Sequence, residues 1–200
     1  MPATFLVSDT HFGHLGVCKF MRSDGVTKLR PWDSAEEMDE AMVKAWNETV
    51  RPADKVYHLG DVVINRRALG TLARLNGDKV LIRGNHDIFR DTEYRAYFRE
   101  LRAYHVMNGM ILSHIPVHAD SLGRFGVNIH GHLDANRVRK ARGVDAETGE
   151  VLYSDEPDVR YHCVCVEQTD FRPILFEDVI KRILAEGGVV GFRNGNGPTM

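Results

Sequence analysis

The sequence predicts an α/β fold in which two mixed β-sheets pack on each other with helices on the flanks. Three observations carry that expectation. From Thr4 to Arg83, short apolar runs of strand length alternate with segments of helical periodicity, the pattern of a layered α/β domain. The strand-like runs stop at clusters of Gly, Asp, Asn or His, and the carboxyl ends of strands are where open α/β sheets collect ligands. In the second half, strand-like runs follow one another closely, which points to a second sheet packed on the first.

Taken in order, Thr4-Phe5-Leu6-Val7-Ser8 is a buried strand that ends at Asp9-Thr10-His11-Phe12-Gly13-His14. A loop or short helix around Val17 to Met21 and an irregular polar segment to Trp32 come next. Ser34-Ala35-Glu36-Glu37 is a capping box, and Met38, Ala41, Met42, Ala45, Trp46 and Thr49 keep helical spacing until Pro52. Lys55 to Leu59 is the second strand, stopped by Gly60-Asp61, and Arg67 to Leu75 is a short helix. Asn76-Gly77-Asp78 turns the chain into the strand Lys79 to Arg83, which stops at Gly84-Asn85-His86-Asp87. A mainly helical stretch, Asp91 to Leu101, precedes a hairpin of Ala103 to Met107 and Met110 to Ser113, turning at Asn108-Gly109. Gly126 to Ile129 is a strand that ends in His130-Gly131-His132-Leu133-Asp134. Residues 137–158 form an excursion, with a basic cluster (Arg137, Arg139, Lys140, Arg142) and a polar, turn-rich loop around Thr148-Gly149. Tyr161 to Glu167 is a late strand. Phe176 to Glu186 is a closing helix with Val179, Ile180, Ile183 and Leu184 on one face and Gly187 as its stop. One domain over residues 1–187 is expected, followed by a Gly- and Asn-rich tail, 188–200, that is mobile apart from local docking of Phe192.

Composition narrows the function classes. Two hundred residues fit one domain with a sizeable core, and 43% hydrophobic with 27% charged residues is ordinary for a soluble globular chain. A net charge of -2 gives no global attraction to nucleic acid or anionic membrane. No apolar run approaches the roughly 20 residues that span a bilayer, and the N-terminus lacks the basic and apolar regions of a signal peptide. Three cysteines, Cys18, Cys163 and Cys165, argue against a disulfide framework and fit a reducing cytoplasm. Cys163 and Cys165 read as small apolar residues on one side of a strand. The unusual figure is ten histidines, most of them beside Asp, Asn or Gly at strand ends: His11, His58, His86, His114, His130 and His132.

Five strand ends thus carry candidate ligands: Asp9-x-His11, Gly60-Asp61, Gly84-Asn85-His86-Asp87, His114, and Gly131-His132-x-Asp134. No one of these motifs is specific. Together and in this order they resemble the calcineurin-like metallophosphoesterase family, over about two thirds of the chain. Ser8-Asp9-Thr10-His11-Phe12-Gly13-His14, Tyr57-His58-Leu59-Gly60-Asp61 and Ser113-His114-x-Pro116 are similar to its small bacterial and phage branch. The resemblance implies a four-layer α/β/β/α sandwich and two divalent ions.

The ligand types agree. Carboxylates, imidazoles and an amide, without a thiolate, suit Mn²⁺ first, with Fe, Zn, Ni or Mg also acceptable. Asp9 and His11, two apart on an extended segment, would hold one ion. Asp61 would bridge, and Asn85, His114 and His132 would complete the second site. Two such ions, about 3.5–4 Å apart, clamp an in-line phosphoryl displacement and acidify the attacking water. The resemblance implies the same assignment, and adds that His86 contacts the phosphate and protonates the leaving oxygen.

One position departs from the family's Gly-His-x-His. Asp134 stands where the last His would ligate the first ion. Either Asp134 ligates, or water takes the place, or His130 reaches in. Asp134 is preferred because carboxylates serve the same hard ions. A third negative ligand would favour Mn²⁺ and leave the attacking water less acidic. Of the other polar residues, His14 is expected beside the first ion or at the surface, Asp87 to orient its loop, His58 to be a hydrogen-bonded core residue, and His105 and His162 to be structural. Nothing fixes His118 in the cleft. Arg95, Arg99 and Arg102 fall at helical spacing as a basic stripe.

The expected activity is hydrolysis of small phosphodiesters or cyclic nucleotides, the diester preference resting on the resemblance alone. The alternatives are a nuclease on DNA or RNA ends using Arg137 to Arg142, and a non-catalytic scaffold that kept the fold. The sequence does not specify an oligomeric state.

Overall fold

Alternation along the first strands sends their side chains to two different cores. The computed structural model describes residues 1–192. In it β1 (Thr4–Val7), β2 (Lys55–His58), β3 (Asp78–Ile82) and β4 (Glu100–Arg102) run parallel, and β11 (Ile174–Leu175) pairs antiparallel with β1. The sheet order is β11-β1-β2-β3-β4. Phe5, Val7, Val56 and Leu81 face one core, whereas Leu6, Tyr57, Val80 and Ile82 face the other. Strands apolar on both faces must be covered on both faces.

The first core is covered by α1 (Ala35–Thr49) and the 3-10 helix Arg66–Arg74. Ser34 Oγ accepts the amide of Glu37 and starts α1. Met38, Met42, Val43 and Trp46 then fall on its buried face. Trp46 is 2% exposed and donates to the Asn76 carbonyl, so truncating it to Ala would cost about 3–5 kcal/mol. The second core is closed by a second sheet of order β10-β7-β6-β5, formed by β5 (His105–Met107), β6 (Met110–Ser113), β7 (Asn128–His130) and β10 (Tyr161–Cys163). Met110, Leu112, Val127 and Ile129 meet Leu6, Tyr57, Val80 and Ile82 there, joined by Val179 and Ile183 of α3 (Phe176–Ala185). The molecule is therefore mixed α/β, with two packed sheets and few helices.

Several expectations need correction. Asp91 to Leu101 is not mainly helical. The helix α2 spans only Asp91–Tyr94, and the chain then enters β4 beside β3. The buried Phe98 and the Arg99 amide, which donates to the Lys79 carbonyl, hold it there. Arg95, Arg99 and Arg102 therefore form no helical stripe, and Arg99 and Arg102 pair with Asp78 and Glu100. The stretch expected as a polar loop in residues 137–158 is a β-hairpin of β8 (Arg139–Val144) and β9 (Val151–Pro157). Asp145 Oδ1 accepts the amides of Glu147 and Thr148 at its turn. Its strands lack apolar alternation because neither face is buried. The strand expected from Tyr161 to Glu167 leaves the sheet after Cys163, and Cys165 bridges Ser8 at the end of β1. In the tail, Gly188 donates to the Ile183 carbonyl, Val190 packs on the second core and Phe192 bridges Phe125, the local docking expected of it. Residues 193–200 lie outside the described part of the chain.

Candidate metal centre

The loops that leave β1, β2, β3, β6 and β7 meet at one edge shared by the two sheets. Their backbone is unusual where the chemistry is. Asp9 (φ 59°), His11 (49°), Asp61 (56°), His132 (70°) and Asp134 (49°) are all left-handed, a region that Asp, Asn and His tolerate better than most residues. Asp9 and His11 thus do not lie on an extended segment as expected. Strain of this kind persists only where neighbours over-determine it. The Asp9, His11 and Phe12 amides donate to the Gly60, Asp61 and Val62 carbonyls at 2.9–3.0 Å. The buried Asp87 carboxylate accepts from the Asp61, Val62 and Gly84 amides at 2.8–3.0 Å, pinning the β2 and β3 loops together. Two glycines are required by close approach. A Cβ at Gly84 would lie 2.2 Å from Asp61 Oδ1, and one at Gly131 would lie 2.4 Å from Asp9 Oδ2.

These loops bring the side chains into three adjoining groups, each with ligand atoms within 4.8 Å of one another: Asp9, His11 and Asp61; Asp61, His114 and His132; and Asp9, Asp134 and Cys165. Asp61 belongs to the first two and Asp9 to the first and third. His11 Nε2 lies 3.6 Å from Asp9 Oδ1 and 3.8 Å from Asp61 Oδ2. His114 Nε2 lies 3.4 Å from Asp61 Oδ2 and 2.8 Å from Asn85 Oδ1. Ligands about 2.1 Å from a common ion stand roughly 3–3.6 Å from one another, so the spacing suits a shared cation.

Hydrogen bonding tests the fit further. His114 Nδ1 donates to the Leu59 carbonyl at 2.8 Å, so in the neutral ring Nε2 carries the lone pair. That lone pair faces two oxygen acceptors, Asn85 Oδ1 and Asp61 Oδ2, an arrangement that calls for positive charge between them. Burial opposes charge on His114, but the Asp61 and Asp9 carboxylates outweigh it and raise its proton affinity. Asp9 works the same way. Burial would push its carboxyl up, yet His11, His114 and the Ser8 hydroxyl hold it well below the ordinary value. Asp9 Oδ2 accepts from Ser8 Oγ (2.5 Å), the His132 amide (2.9 Å) and Cys165 Sγ (3.2 Å), while Oδ1 faces His11. One oxygen is clamped and the other is presented, as the hydrogen-bond donors around a metal-ligating carboxylate arrange it. The residues present therefore fit divalent ions. Burial and the Asp9 charge raise the Asp134 carboxyl, which a cation would reverse.

A family model described as calcineurin-like phosphoesterase matches residues 4–189. The chain belongs to the calcineurin-like phosphoesterase family. It is a metal-dependent family of hydrolases of phosphoric esters, and the clustered carboxylates and histidines accord with that chemistry. The uncharacterized protein MJ1445 of Methanocaldococcus jannaschii is 32% identical over 198 residues, 95% of this chain and 96% of the relative. The gene 66 protein of Mycobacterium phage L5 is 35% identical over 92 residues, 44% of this chain and 41% of that protein. The crystal structure of AQ665 from Aquifex aeolicus, a protein of unknown function, aligns with a TM-score of 0.58 at 23% identity, covering 91% of this chain and all of that one, a likeness of fold.

Within this phosphoesterase fold the sequence-derived site residues come together as follows. Asp9, His11, Asp61, His114 and His132 fall in the first two groups, with Asn85 beside His114. Asp134 stands with Asp9, apart from His11 and Asp61. The exposed His86 ring lies edge-on to His11, centroids 5.6 Å apart, and its amide donates to Asp61 Oδ1 at 2.8 Å. His130 is buried and belongs to none of the three groups, with Nδ1 donating to the Gly131 carbonyl and its ring against Tyr161. His14 neighbours His11 and meets Phe20, His118 is exposed, and His58 is a hydrogen-bonded core residue between Thr10 and Gly60.

Sequence reasoning missed four supports. Arg30, fully buried, donates to the Asp9 carbonyl (2.5 Å), the Thr10 carbonyl (2.7 Å) and Glu167 Oε1 (2.7 Å). Ser8 and Cys165 clamp Asp9. Cys165 is therefore more than apolar filling, although burial raises its thiol well above the ordinary value, so it stays a donor. A lone arginine in an irregular segment and a glutamate 137 positions later carry no local signal of their pairing.

Proposed function

We propose that the protein is a dinuclear metal-dependent phosphodiesterase acting on small diesters, cyclic nucleotides among them, with Mn²⁺ as the preferred ion. The observation that carries the reading is Asp61, shared by two ligand groups that stand side by side. Asp9 and His11 on one side, and Asn85, His114 and His132 on the other, would hold the ions, with Asp134 adding a negative ligand beside Asp9. When bound, the ions would supply Lewis acidity and a water acidic enough to attack phosphorus. The protein's own part is positional. Ser8, Cys165 and the His132 amide aim Asp9, the Leu59 carbonyl sets the His114 tautomer, and Asp87 locks the Asp61 and Asn85 loops together. His86 stands at the mouth, its ring in no hydrogen bond among the described residues, and would give its proton to the leaving oxygen.

A singly charged diester suits this surface better than a dianionic monoester. The arginines flanking Asn85 and His114, Arg83 and Arg102, are already paired with Asp91 and Glu100. The nuclease alternative loses support because the basic strand β8 lies against the acidic strand β9, with Lys140 3.6 Å from Glu156. We further propose residues 1–187 as the catalytic domain, and the cytoplasm as its compartment, on its three free thiols.

The test is a metal-by-substrate panel on stripped and reloaded protein. Mn²⁺-dependent hydrolysis of bis(4-nitrophenyl) phosphate should exceed that of 4-nitrophenyl phosphate. Equal rates without added metal, or a monoester preference, would overturn the proposal. Asp134→His should shift the metal preference and the pH–rate profile. An unchanged profile would remove Asp134 from the ligand set.

A further inference from the structure

A cavity of about 530 Å³ adjoins the Asn85–His114 end of the centre, within the range of about 300–1,000 Å³ typical of small-ligand sites. Asn85 and His114 form part of its wall, so it opens directly onto the second ligand group. Leu101, Ala103 and Ile115 give it apolar surface, and Arg83 and Arg102 flank it.

The two guanidinium groups decide what the cavity can hold. Arg83 donates to Asp91 Oδ1 (2.6 Å) and to the carbonyls of Asp87 and Phe89, and its Cζ lies 5.5 Å from the centre of the Tyr94 ring. Arg102 donates to Glu100 Oε2 (2.9 Å) and meets His105 Nδ1 at 2.6 Å. Each cation already has its carboxylate. A second phosphate entering here would have to break an ion pair. A neutral, flat group would keep both pairs, cover the apolar wall and stack on guanidinium planes.

We propose that this cavity receives one ester substituent of the substrate, a neutral aromatic ring, and that the enzyme thereby selects diesters carrying a nucleoside or aryl arm. The inference rests on the phosphodiesterase reading. Ala103 is exposed, lines the apolar wall and belongs to none of the ligand groups, so Ala103→Trp narrows the cavity while leaving the ligand side chains in place.

The test compares wild type and Ala103→Trp on bis(4-nitrophenyl) phosphate, thymidine 5′-(4-nitrophenyl phosphate) and the ring-free diester glycerophosphoethanolamine. The preference of the wild type for the ring-bearing diesters should fall at least ten-fold in the variant through KM, with the ring-free diester unchanged. The thymidine and bis-aryl substrates together tell a nucleoside preference from an aryl one. An unchanged ring preference overturns the proposal. A binding measurement makes it independent of turnover. Adenosine and nitrobenzene, titrated into Mg²⁺-loaded protein, should shift the amide resonances of Leu101 and Ile115 in the wild type and not in the variant. Shifts without diester turnover would retain the cavity and reject the phosphodiesterase reading, whereas no shifts at saturation would reject the cavity.

Discussion

Asp9 is held from every side. Three donors occupy its Oδ2, its backbone is left-handed, and its carbonyl accepts from a fully buried arginine. Arg30 is costly to bury and is compensated by Glu167, two carbonyls and the Met38 sulfur. Removing one partner leaves the other charge stranded, so Arg30→Met should destabilise the fold by about 3–5 kcal/mol. Arg30→Met with Glu167→Leu should recover much of that in urea denaturation, yet still lose metal affinity because the Asp9–Thr10 carbonyls are freed. Recovery of both would reduce Arg30 to a packing residue. His86 is the opposite case: exposed, with no hydrogen bond at its ring among the described residues, and outside every ligand group. His86→Gln should lower turnover by about 10²–10⁴-fold, the usual range for a general acid, with metal content by mass spectrometry unchanged. An equal fall in metal content would make His86 a ligand.

Between residues and the fold stand the strands, whose exits build the centre, and His58 ties two of those exits together. At the end of β2 it is wholly buried, meets Thr10 Oγ1 at 3.0 Å, accepts the Gly60 amide at 3.2 Å and stacks near Trp46. Burial depresses its pKa from about 6.5 to about 3. The ring is therefore neutral in the fold, and the unfolded chain binds the extra proton between those values. The stabilisation from His58 is complete above pH 6.5 and is lost as pH falls toward 3, by up to about 1.4 kcal/mol per pH unit. Asp39 opposes this. Burial raises it to about 6, so its folded form gains from protonation and stability rises as pH falls from 6 toward 4. In denaturation curves His58→Phe should be destabilised at pH 7, and the gap to wild type should narrow by roughly 1–3 kcal/mol by pH 4.5. A constant gap would mean that His58 does not titrate across this window. The strands that build the centre were legible because both their faces are apolar and their exits are polar. β4 was hidden because Arg95, Arg99 and Arg102 mimic helical spacing, and the β8–β9 hairpin because it buries nothing to impose a period of two. Of the site, the ligand types were legible at the strand ends. The left-handed backbones of Asp9 and His11 were not, since they arise from hydrogen bonds to Gly60 and Asp61, about fifty positions away.

For the molecule as a whole, the two sheets meet where their loops gather three carboxylates, Asp9, Asp61 and Asp134. The unfolded chain scatters these charges, so divalent ions should bind the native state almost exclusively and stabilise it by mass action. Once metal exceeds its dissociation constants, each bound ion adds about 1.4 kcal/mol of unfolding free energy per tenfold rise in metal concentration. Two ions should therefore give a slope of about 2.7 kcal/mol per decade of Mn²⁺, and one ion about half of that. Asp61 serves both leading groups, whereas His132 serves only one. Asp61→Asn should flatten the Mn²⁺ dependence nearly completely, while His132→Ala should leave the slope of a single ion. If Asp61→Asn instead kept half the slope, the groups around His11 and His114 would be separate sites, and the geometry for clamping one phosphoryl group between two ions would be lost.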